Sequence, residues 1–400
     1  MRTNDSWKFI PVACLILAAA AVPQGALAGT FKTIHAFNGA PDGAVLISDV
    51  IRDKAGNLYG ATNAGGTSAN CMGGCGAVFK ITKDGKESIL YSFQGGNDGI
   101  GPQGGLVMDK AGNLYGTTFA GGGSPNCGTQ GCGTVFKITP QGTETVLSAF
   151  IGGADDGSGP ENNLMIDATG NLYGTTYGGG PADVGMAFMI PPGKAEVVLH
   201  LFSGGADGAR PLGGLTLGAS GVLYGTTFSG GSKDHGTVFS LTHSKGKWIK
   251  KIVHDFKGGK TDGGYPLAPL VPNAAGNFYG TTSGYGEHDA GTIFKVAPDG
   301  TEVVVYSFLG KTNGESPYTG VTLGLDGNVY GTTCYGGTHN FGTVFKLASG
   351  GDFSVLHSFV GTKDGGYPSS GKLVEDKTGH LFGATYGVSG NYGTVFRITE

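Results

Sequence analysis

Short apolar runs separated by turn-forming residues repeat along almost the whole chain. Between Pro102 and Phe150 there are four such runs, and each is bounded by Gly, Pro, Asn or Asp. Runs rich in β-branched and aromatic residues between such boundaries are typical of β-strands, and no segment keeps a helical period. The pattern therefore predicts an all-β chain of four-stranded antiparallel meanders, whose strands we name A, B, C and D in chain order.

The B strand carries the clearest repeated motif, Gly-Asn-Leu-Tyr-Gly-Thr-Thr, at residues 112–118 and 170–176. Looser copies of its Leu-Tyr-Gly core lie at 58–60, 223–225, 278–280, 329–331 and 381–383. A period of roughly 50 to 60 residues, with four strands in each copy, is typical of propeller blades. The copies predict a seven-bladed β-propeller that forms a single domain over residues 29–400.

The two ends of the chain predict how the ring closes. Residues 30–37 match a D strand, whereas residues 393–400 match a C strand that no D strand follows. We therefore expect the N-terminal strand to pair in the last blade and complete it. This pairing would remove two exposed sheet edges that otherwise favour aggregation.

The first 28 residues lie outside the repeats and have the features of a secretory signal peptide. Arg2 and Lys8 accompany an apolar run at residues 10–22, and Ala26-Leu27-Ala28 is a small-residue cleavage site. The run is too short to span a membrane, and no later segment is apolar enough to do so. The sequence predicts cleavage after Ala28 and a secreted protein, either periplasmic or extracellular.

Composition and charge exclude several classes of function. The net charge is −4 and only 14% of the residues are charged, so the clustered basic surface that nucleic-acid binding needs is missing. The 80 glycines follow the turns and show no Gly-X-Y period, which excludes collagen. No nucleotide-binding loop, serine-hydrolase elbow or two-histidine metal helix occurs. We expect a monomer that binds an extracellular glycan or protein.

Four cysteines lie in two neighbouring loops that connect strand B to strand C. Cys71 and Cys75 belong to blade 1, and Cys127 and Cys132 belong to blade 2. In an exported protein we expect one disulfide within each loop. A shared four-thiolate Zn²⁺ site is the alternative at this point. Cys334 has no evident partner.

Histidines in three consecutive B–C loops are candidates for metal ligands. His235, His288 and His339 belong to blades 4, 5 and 6, and neutral imidazole suits Zn²⁺ or Cu²⁺ if the loops lean inward. Solvated loop residues are the simpler interpretation. Four further histidines share a D-strand position that Tyr or Ser fills in other blades, and we interpret them as strand-face residues: His35, His200, His254 and His357.

The loops from strand D to the next strand A carry the motif Asp-Gly-x-x-Pro. A ring of such carboxylates could bind Ca²⁺, but one Asp in each loop provides few of the six to eight oxygens that Ca²⁺ takes. We favour a turn in which the Asp side chain fixes the crossing between blades. No cofactor is expected, and Ca²⁺ and Zn²⁺ are the metal candidates.

One inner-strand position breaks the repeat beside the predicted closure. It is apolar in five blades but is Arg52 in blade 1 and Glu375 in blade 7. Because these blades are neighbours in a closed ring, we predict an ion pair between the two side chains. Together with Asp49 they form the most polar part of the inner strands, and a site in the central channel would start there.

The phrases Gly-Asn-Leu-Tyr-Gly-Thr-Thr, Gly-Thr-Val-Phe-Lys-Ile and Ser-Phe-x-Gly-Gly-x-Asp-Gly together resemble the GloVer tandem-repeat family of choice-of-anchor proteins. The resemblance covers nearly all of residues 30–400 and implies a secreted bacterial repeat protein without an established activity. Many relatives carry a C-terminal anchoring segment, whereas this sequence ends in a strand, so a soluble exported protein is expected. The strand pattern is also similar to NHL-type propellers, which are chiefly binding scaffolds.

Two functions remain open from the sequence. The first is a secreted binding or scaffold module that uses the face built by the B–C and D–A loops. The second is an exported hydrolase or lyase that acts on a glycan or a small lactone. A fold alone does not choose between them. The evenness of the repeats favours the first, because catalytic residues should break the repeat and converge on one spot.

Overall fold

The computed structural model describes residues 29–368, 371–388, 390 and 392–400, and the predicted signal peptide lies outside them. Nearly all regular elements are strands. The helical elements among the described residues are short 3₁₀ turns, at Pro125–Gln130, Gly205–Asp207, Ala219–Gly221 and Lys311–Asn313. None of the described helices could cross a membrane. The all-β fold predicted from the pattern is confirmed.

Seven antiparallel sheets form the blades, each in the order A, B, C, D. The A strands are Ile51–Arg52, Val107–Met108, Met165–Ile166, Leu215–Leu217, Val271–Pro272, Thr322–Leu323 and Val374–Glu375. The B strands are Leu58–Thr62, Leu114–Ala120, Leu172–Thr176, Leu223–Thr227, Phe278–Thr282, Val329–Thr333 and Leu381–Thr385. The C strands are Ala77–Ile81, Thr134–Ile138, Met186–Ile190, Thr237–Ser244, Thr292–Val296, Thr343–Leu347 and Thr394–Thr399. The D strands are Glu87–Ser92, Glu144–Ala149, Val197–Leu201, Lys247–Asp255, Glu302–Ser307, Phe353–Ser358 and Thr30–Ala36.

The D strand of blade 7 is the N-terminal strand, which confirms the predicted closure. Thr30 lies opposite Thr399, and Ala36 lies opposite Thr394. The pairing shifts by one residue after Thr33, and the D strands of the other blades carry a register shift at the equivalent place. The N-terminal strand is thus a regular D strand of the repeat, supplied from the opposite end of the chain.

Pairs of phenylalanines form the core between neighbouring blades. The Phe that follows each D strand packs edge to face on the C-strand Phe of the next blade, with ring centroids 5.0–5.4 Å apart. This geometry is favourable for aromatic pairs. The C-strand ring also lies over the glycine of the Leu-Tyr-Gly motif in its own blade. A Cβ on Gly60 would come within 2.6 Å of Phe79, so the motif needs glycine.

The threonine that ends the repeated motif joins strands B and C in six of the seven blades. Thr227 Oγ1 lies 2.8 Å from Thr237 Oγ1 and accepts a hydrogen bond from the Thr237 amide. Equivalent pairs occur in blades 2, 5, 6 and 7. Blade 1 differs because Ala77 faces Thr62, whose hydroxyl has no hydrogen-bond partner among the described residues.

Three additional short pairings tie D–A loops to B–C loops. Ile100–Pro102 pairs with the B strand of blade 2, Gly157–Ser158 pairs with Gly178–Gly179, and Gly263–Gly264 pairs with Gly284–Tyr285. Isolated bridges make the same connection in blades 1, 4 and 6. The D–A and B–C loops therefore form one continuous surface, which we call the loop face.

Candidate functional site

The A strands surround a central channel that is divided into two cavities. The larger, of about 440 Å³, is lined mainly by apolar A-strand residues, including Val107, Ile166 and Leu217. The smaller, of about 200 Å³, lies at the end where the D–A loops enter the A strands, and its wall includes Glu161 and Tyr318. The smaller cavity therefore opens on the loop face, and we call it the vestibule.

Asp49 is a buried residue that lines the larger cavity. Its Oδ2 accepts a hydrogen bond of 2.8 Å from Asn163, whose own Oδ1 accepts one of 2.6 Å from the Gly105 amide. Burial raises the pKa of Asp49 to about 6, against the opposing effects of Lys372 and of Asn163. These hydrogen bonds link residues of blades 1, 2 and 3 beside the larger cavity.

The ion pair across the closure has a different acid from the one predicted. Arg52 lies 3.7 Å from Asp376, the residue after Glu375, and stacks on Phe382 at 5.5 Å. Glu375 instead accepts a hydrogen bond of 2.8 Å from the Leu325 amide of blade 6. The side chain at this repeat position points toward the preceding blade. Arg52 of blade 1 therefore contacts blade 7, whereas Glu375 of blade 7 contacts blade 6.

The structure does not bring the three B–C loop histidines together. His235 Nε2 lies 2.6 Å from the Tyr285 hydroxyl, and His339 Nδ1 bonds to its neighbour Thr338. His288 is exposed. Groups of potential metal donors among the described residues lie elsewhere, at His35–Asp42–Glu87 and at His254–Asp262–Glu302. The expected metal site of the three loops is therefore not assembled by the described residues.

Both B–C loop disulfides form as expected. Cys71 pairs with Cys75 and Cys127 pairs with Cys132, which rules out a four-thiolate Zn²⁺ site. Cys334 is buried and free, and burial raises the pKa of its thiol to about 12. The disulfide-closed loops of blades 1 and 2 carry mostly small polar residues, whereas aromatic residues occupy the loop face of later blades.

Two tyrosines of blade 5 have left-handed backbone conformations that glycine adopts in some of the other blades. Tyr265 precedes the D–A proline and has φ +62°. The equivalent residue is glycine in blades 2 and 3 only, and in the other blades it is a non-glycine residue that also has positive φ: Val45, Arg210, Ser316 and Tyr367. Tyr285 has φ +65° at a B–C position that Gly65 and four further glycines occupy in other blades: Gly121, Gly179, Gly230 and Gly336. A bulky residue is strained in this left-handed conformation. Both tyrosines therefore have a backbone conformation that a residue with a large side chain disfavours.

These two tyrosines belong to an aromatic cluster between blades 4 and 5. The Tyr265 ring lies 5.6 Å from Tyr285, 5.2 Å from Phe228 and 5.6 Å from His235. A hydrogen bond with Tyr265 raises the pKa of Tyr285. All four rings are partly exposed. We call this group the aromatic loop site; it offers ring faces, two phenol groups and an imidazole on one surface.

Other side chains extend the aromatic surface on both sides of this site. Arg210 has φ +54° at the position of Tyr265 and lies over the Tyr177 ring at 5.0 Å. Tyr367 has φ +52° at the same position in the last D–A loop and packs on Tyr335 and Phe341 at 5.6 and 5.3 Å. The loop face is therefore aromatic over blades 3 to 7.

The D–A carboxylates act in turns, as favoured from the sequence. Asp98 accepts a hydrogen bond of 2.6 Å from the Gln94 amide, and the equivalent Asp or Asn of every other blade accepts one from the corresponding amide. The D-strand histidines are more than strand-face residues, because each lies 3.0–3.4 Å from the carboxylate of its following D–A loop. The regular spacing of His and Asp, seven residues in three blades and eight between His254 and Asp262, could have shown this.

The model of the Gloeobacter/Verrucomicrobia repeat matches residues 23–218, 67–273 and 218–400. The chain belongs to this family. The predicted resemblance is thereby confirmed, and the matched ranges span all seven blades of the repeat. No curated protein sequence matches the chain.

Solved structures similar to this family member are propellers. The extracellular domain of a protein assigned as a one-component system from B. thetaiotaomicron aligns with a TM-score of 0.56 and 9% identity, over 91% of this chain and 39% of the other. The extracellular domain of a protein assigned as a hybrid two-component system from the same organism aligns with a TM-score of 0.55 and 12% identity. This alignment covers 93% of this chain and 41% of the other. A protein assigned as a 6-phosphogluconolactonase from Bacteroides uniformis aligns with a TM-score of 0.50 and 14% identity. This alignment covers 82% of this chain and 89% of the other. At these identities the likeness supports the fold alone.

Sequence reasoning found the loop face but not the aromatic loop site. The signal was present, because Tyr285 replaces a glycine found in five other blades and Tyr265 replaces one found in blades 2 and 3. It becomes interpretable only when the backbone angles show that those positions require a left-handed conformation. Members of this repeat family can therefore be searched for bulky residues at the same positions.

Proposed function

We propose that this protein is an exported binding module that holds a glycan on its loop face, with the aromatic loop site as the main contact. The propeller supplies a rigid frame, and the two disulfides fit an oxidising compartment outside the cytoplasm. The ligand rests on the cluster between blades 4 and 5, beside the vestibule that opens on the same face.

The observation that carries this proposal is the pair of strained tyrosines. Each non-glycine residue in a left-handed conformation costs about 1–3 kcal/mol of folding free energy. Tyr285 accepts this cost at a position where five other blades have glycine, and Tyr265 accepts it at a position where blades 2 and 3 have glycine. Strain of this kind concentrates at binding and catalytic sites, where the side chain has a use that offsets the loss of stability.

The chemistry of the site suits a neutral, hydroxyl-rich ligand. Aromatic rings present flat apolar faces, while tyrosine and histidine also form hydrogen bonds. The carbon–hydrogen faces of a sugar ring can lie on Tyr265 and Phe228, and its hydroxyl groups can bond to the phenols. The vestibule adds further polar groups, from Gln103, Glu161 and Asn162. Burial raises the pKa of Glu161, which favours its uncharged form.

A glycan array with the mature chain tests the proposal. We expect binding to a defined set of neutral oligosaccharides and a reduction of at least about tenfold in Tyr265→Ala, the size of effect that losing one well-placed contact of about 1.4 kcal/mol gives. Tyr386→Ala is the matched control, because Tyr386 is 43% exposed on blade 7 outside the cluster. Equal binding by Tyr265→Ala and the wild type would refute the site.

The array also separates binding from catalysis. Asp49 is the buried acid with which a hydrolase or lyase would start, since its pKa of about 6 suits proton transfer near neutral pH. If the protein cleaves a bound oligosaccharide or a lactone, and Asp49→Asn abolishes the cleavage, the enzyme hypothesis replaces the binding one. Unchanged ligands recovered after incubation support the binding module.

A further inference from the structure

Every pair of neighbouring blades has three equivalent side-chain positions at its interface. The first is in the D strand of one blade, the second is the Asp or Asn of the following D–A loop, and the third lies in the first half of the D strand of the next blade or just before it. Strand register identifies the third position, because Glu87, Glu302 and Lys250 each lie opposite the equivalent C-strand residue. The seven interfaces are therefore natural variants of one site.

Two interfaces combine an imidazole with two carboxylates. His35 Nε2 lies 3.3 Å from Asp42 Oδ1 between blades 7 and 1, and Glu87 faces both. His254, Asp262 and Glu302 form the same arrangement between blades 4 and 5, where Nε2 and Oδ1 are 3.4 Å apart. In each group one donor atom from every side chain lies within 4.8 Å of the others.

The interface between blades 3 and 4 shows what this arrangement attracts. There Lys250 stands in place of the Glu, and its ammonium lies 2.9 Å from Asp207 Oδ1. His200 Nε2 bonds to Asp207 at 3.0 Å on the other side. The Lys250 side chain is only 5% exposed. A positive charge thus occupies the space between the loop carboxylate and the next blade, in a setting that otherwise matches the two His–Asp–Glu groups.

Without a cation, the two His–Asp–Glu groups leave carboxylate oxygens unsatisfied. Glu87 Oε1 and Glu302 Oε1 are buried and have no hydrogen-bond partner among the described residues. A buried carboxylate of this kind requires a compensating charge or hydrogen bond.

We propose that the His35–Asp42–Glu87 and His254–Asp262–Glu302 groups each bind a divalent transition-metal ion, with Zn²⁺ as the preferred class. One imidazole and two carboxylates are ligands that Zn²⁺ accepts, and water can complete the coordination. The ion bridges two blades as Lys250 does. One site lies at the ring closure, and the other holds the D–A loop that carries Tyr265. The proposal is independent of any glycan ligand.

Zn²⁺ titration of the chelator-treated mature chain tests this inference. We expect about two ions per chain for the wild type, one for Glu87→Gln, one for Glu302→Gln and none at these sites for the double variant. Glu144→Gln is the matched control, because Glu144 occupies the same position between blades 1 and 2, where Tyr91 replaces the histidine. This control should keep both ions.

A second variant guards against loss of folding. Glu302→Lys copies the natural Lys250 arrangement, so it should fold, bind one ion fewer and have a melting temperature that responds less to chelator. No Zn²⁺ uptake at micromolar concentrations, or uptake unchanged in the double variant, would overturn the proposal and leave a shared proton as the compensating group.

Discussion

Single residues that depart from the repeat carry most of the information about function. The left-handed positions of the loops normally hold glycine, which adopts positive φ without strain. Tyr285 has the same backbone conformation with a side chain that the fold does not require. The backbone preference and the side-chain identity disagree at this residue, and such disagreement is expected at functional sites.

The strain at Tyr285 can be measured by a pair of substitutions that both remove the ring. Tyr285→Gly should be more stable than Tyr285→Ala by about 1 kcal/mol, because only glycine accepts positive φ freely. Urea unfolding midpoints provide the measurement. Tyr386 lies outside the positive-φ set, so Tyr386→Gly should be less stable than Tyr386→Ala. The same order at both positions would argue against strain at Tyr285.

A buried glutamate between blades 1 and 2 should make stability depend on pH. Burial, followed by the charge of Asp98, raises the pKa of Glu144 from 4.5 to about 7, and Tyr91 also faces this group through Asp98. A raised folded-state pKa means that the folded chain binds the extra proton. The contribution is fully present below pH 4.5 and is lost as the pH rises through about 7.

Urea unfolding between pH 5 and 8 tests this dependence. The free energy of unfolding of the wild type should fall over this pH interval. That of Glu144→Gln should fall less, because the side-chain amide of the introduced glutamine does not titrate. The remaining slope is expected from Glu87, Glu196 and Glu302, whose pKa values are raised to about 7 as well. Identical slopes for the variant and the wild type would show that Glu144 titrates normally.

At the scale of the strands, the motif residues could be predicted but their partners could not. The sequence shows that glycine and threonine recur in strand B, and the structure shows why: the glycine admits a C-strand phenylalanine and the threonine bonds to strand C. The ion pair of Arg52 was assigned to Glu375 instead of Asp376. Repeat alignment identifies equivalent positions, but it does not give the direction in which a side chain crosses between blades.

The hydroxyl pair between strands B and C provides a stability test. Thr227→Val removes the bond to Thr237 Oγ1 and the acceptor of the Thr237 amide, both fully buried. We expect a loss of about 1–3 kcal/mol, the cost of leaving buried polar groups unsatisfied. Thr62→Val in blade 1 is the control and should cost little, because the Thr62 hydroxyl has no partner to lose. Equal losses would contradict the role of the pair.

For the whole molecule, the blade count followed from the seven copies of the repeated motif, and the closure followed from the strands at the two chain ends. The N-terminal strand is held by more than backbone pairing: Phe31 stacks on His357 of blade 6 at 3.9 Å and on Phe396 at 5.4 Å. What the sequence could not provide is the convergence of loops from different blades. The aromatic loop site joins residues of blades 4 and 5 that lie 57 or fewer positions apart, and only the ring geometry makes them neighbours.

Deleting residues 30–36 should lower the melting temperature sharply, because blade 7 loses its outer strand and two sheet edges open. The control is a permuted chain in which residues 29–37 follow Glu400 through a short turn. This chain keeps the same strand in the same blade, so its melting temperature should return close to that of the wild type. A deletion variant as stable as the wild type would contradict the closed ring.

The most direct test of the account is oligosaccharide affinity in the double variant Tyr265→Gly/Tyr285→Gly, which introduces the glycines that blades 2 and 3 have at both positions. Isothermal titration should use the oligosaccharide that binds the wild type most tightly on the array. We predict affinity lower by at least about tenfold, or 1.4 kcal/mol, with an unfolding midpoint no lower than that of the matching alanine variant. Unchanged affinity in a folded double variant would contradict the proposal that the blades bind ligand where they depart from the repeat.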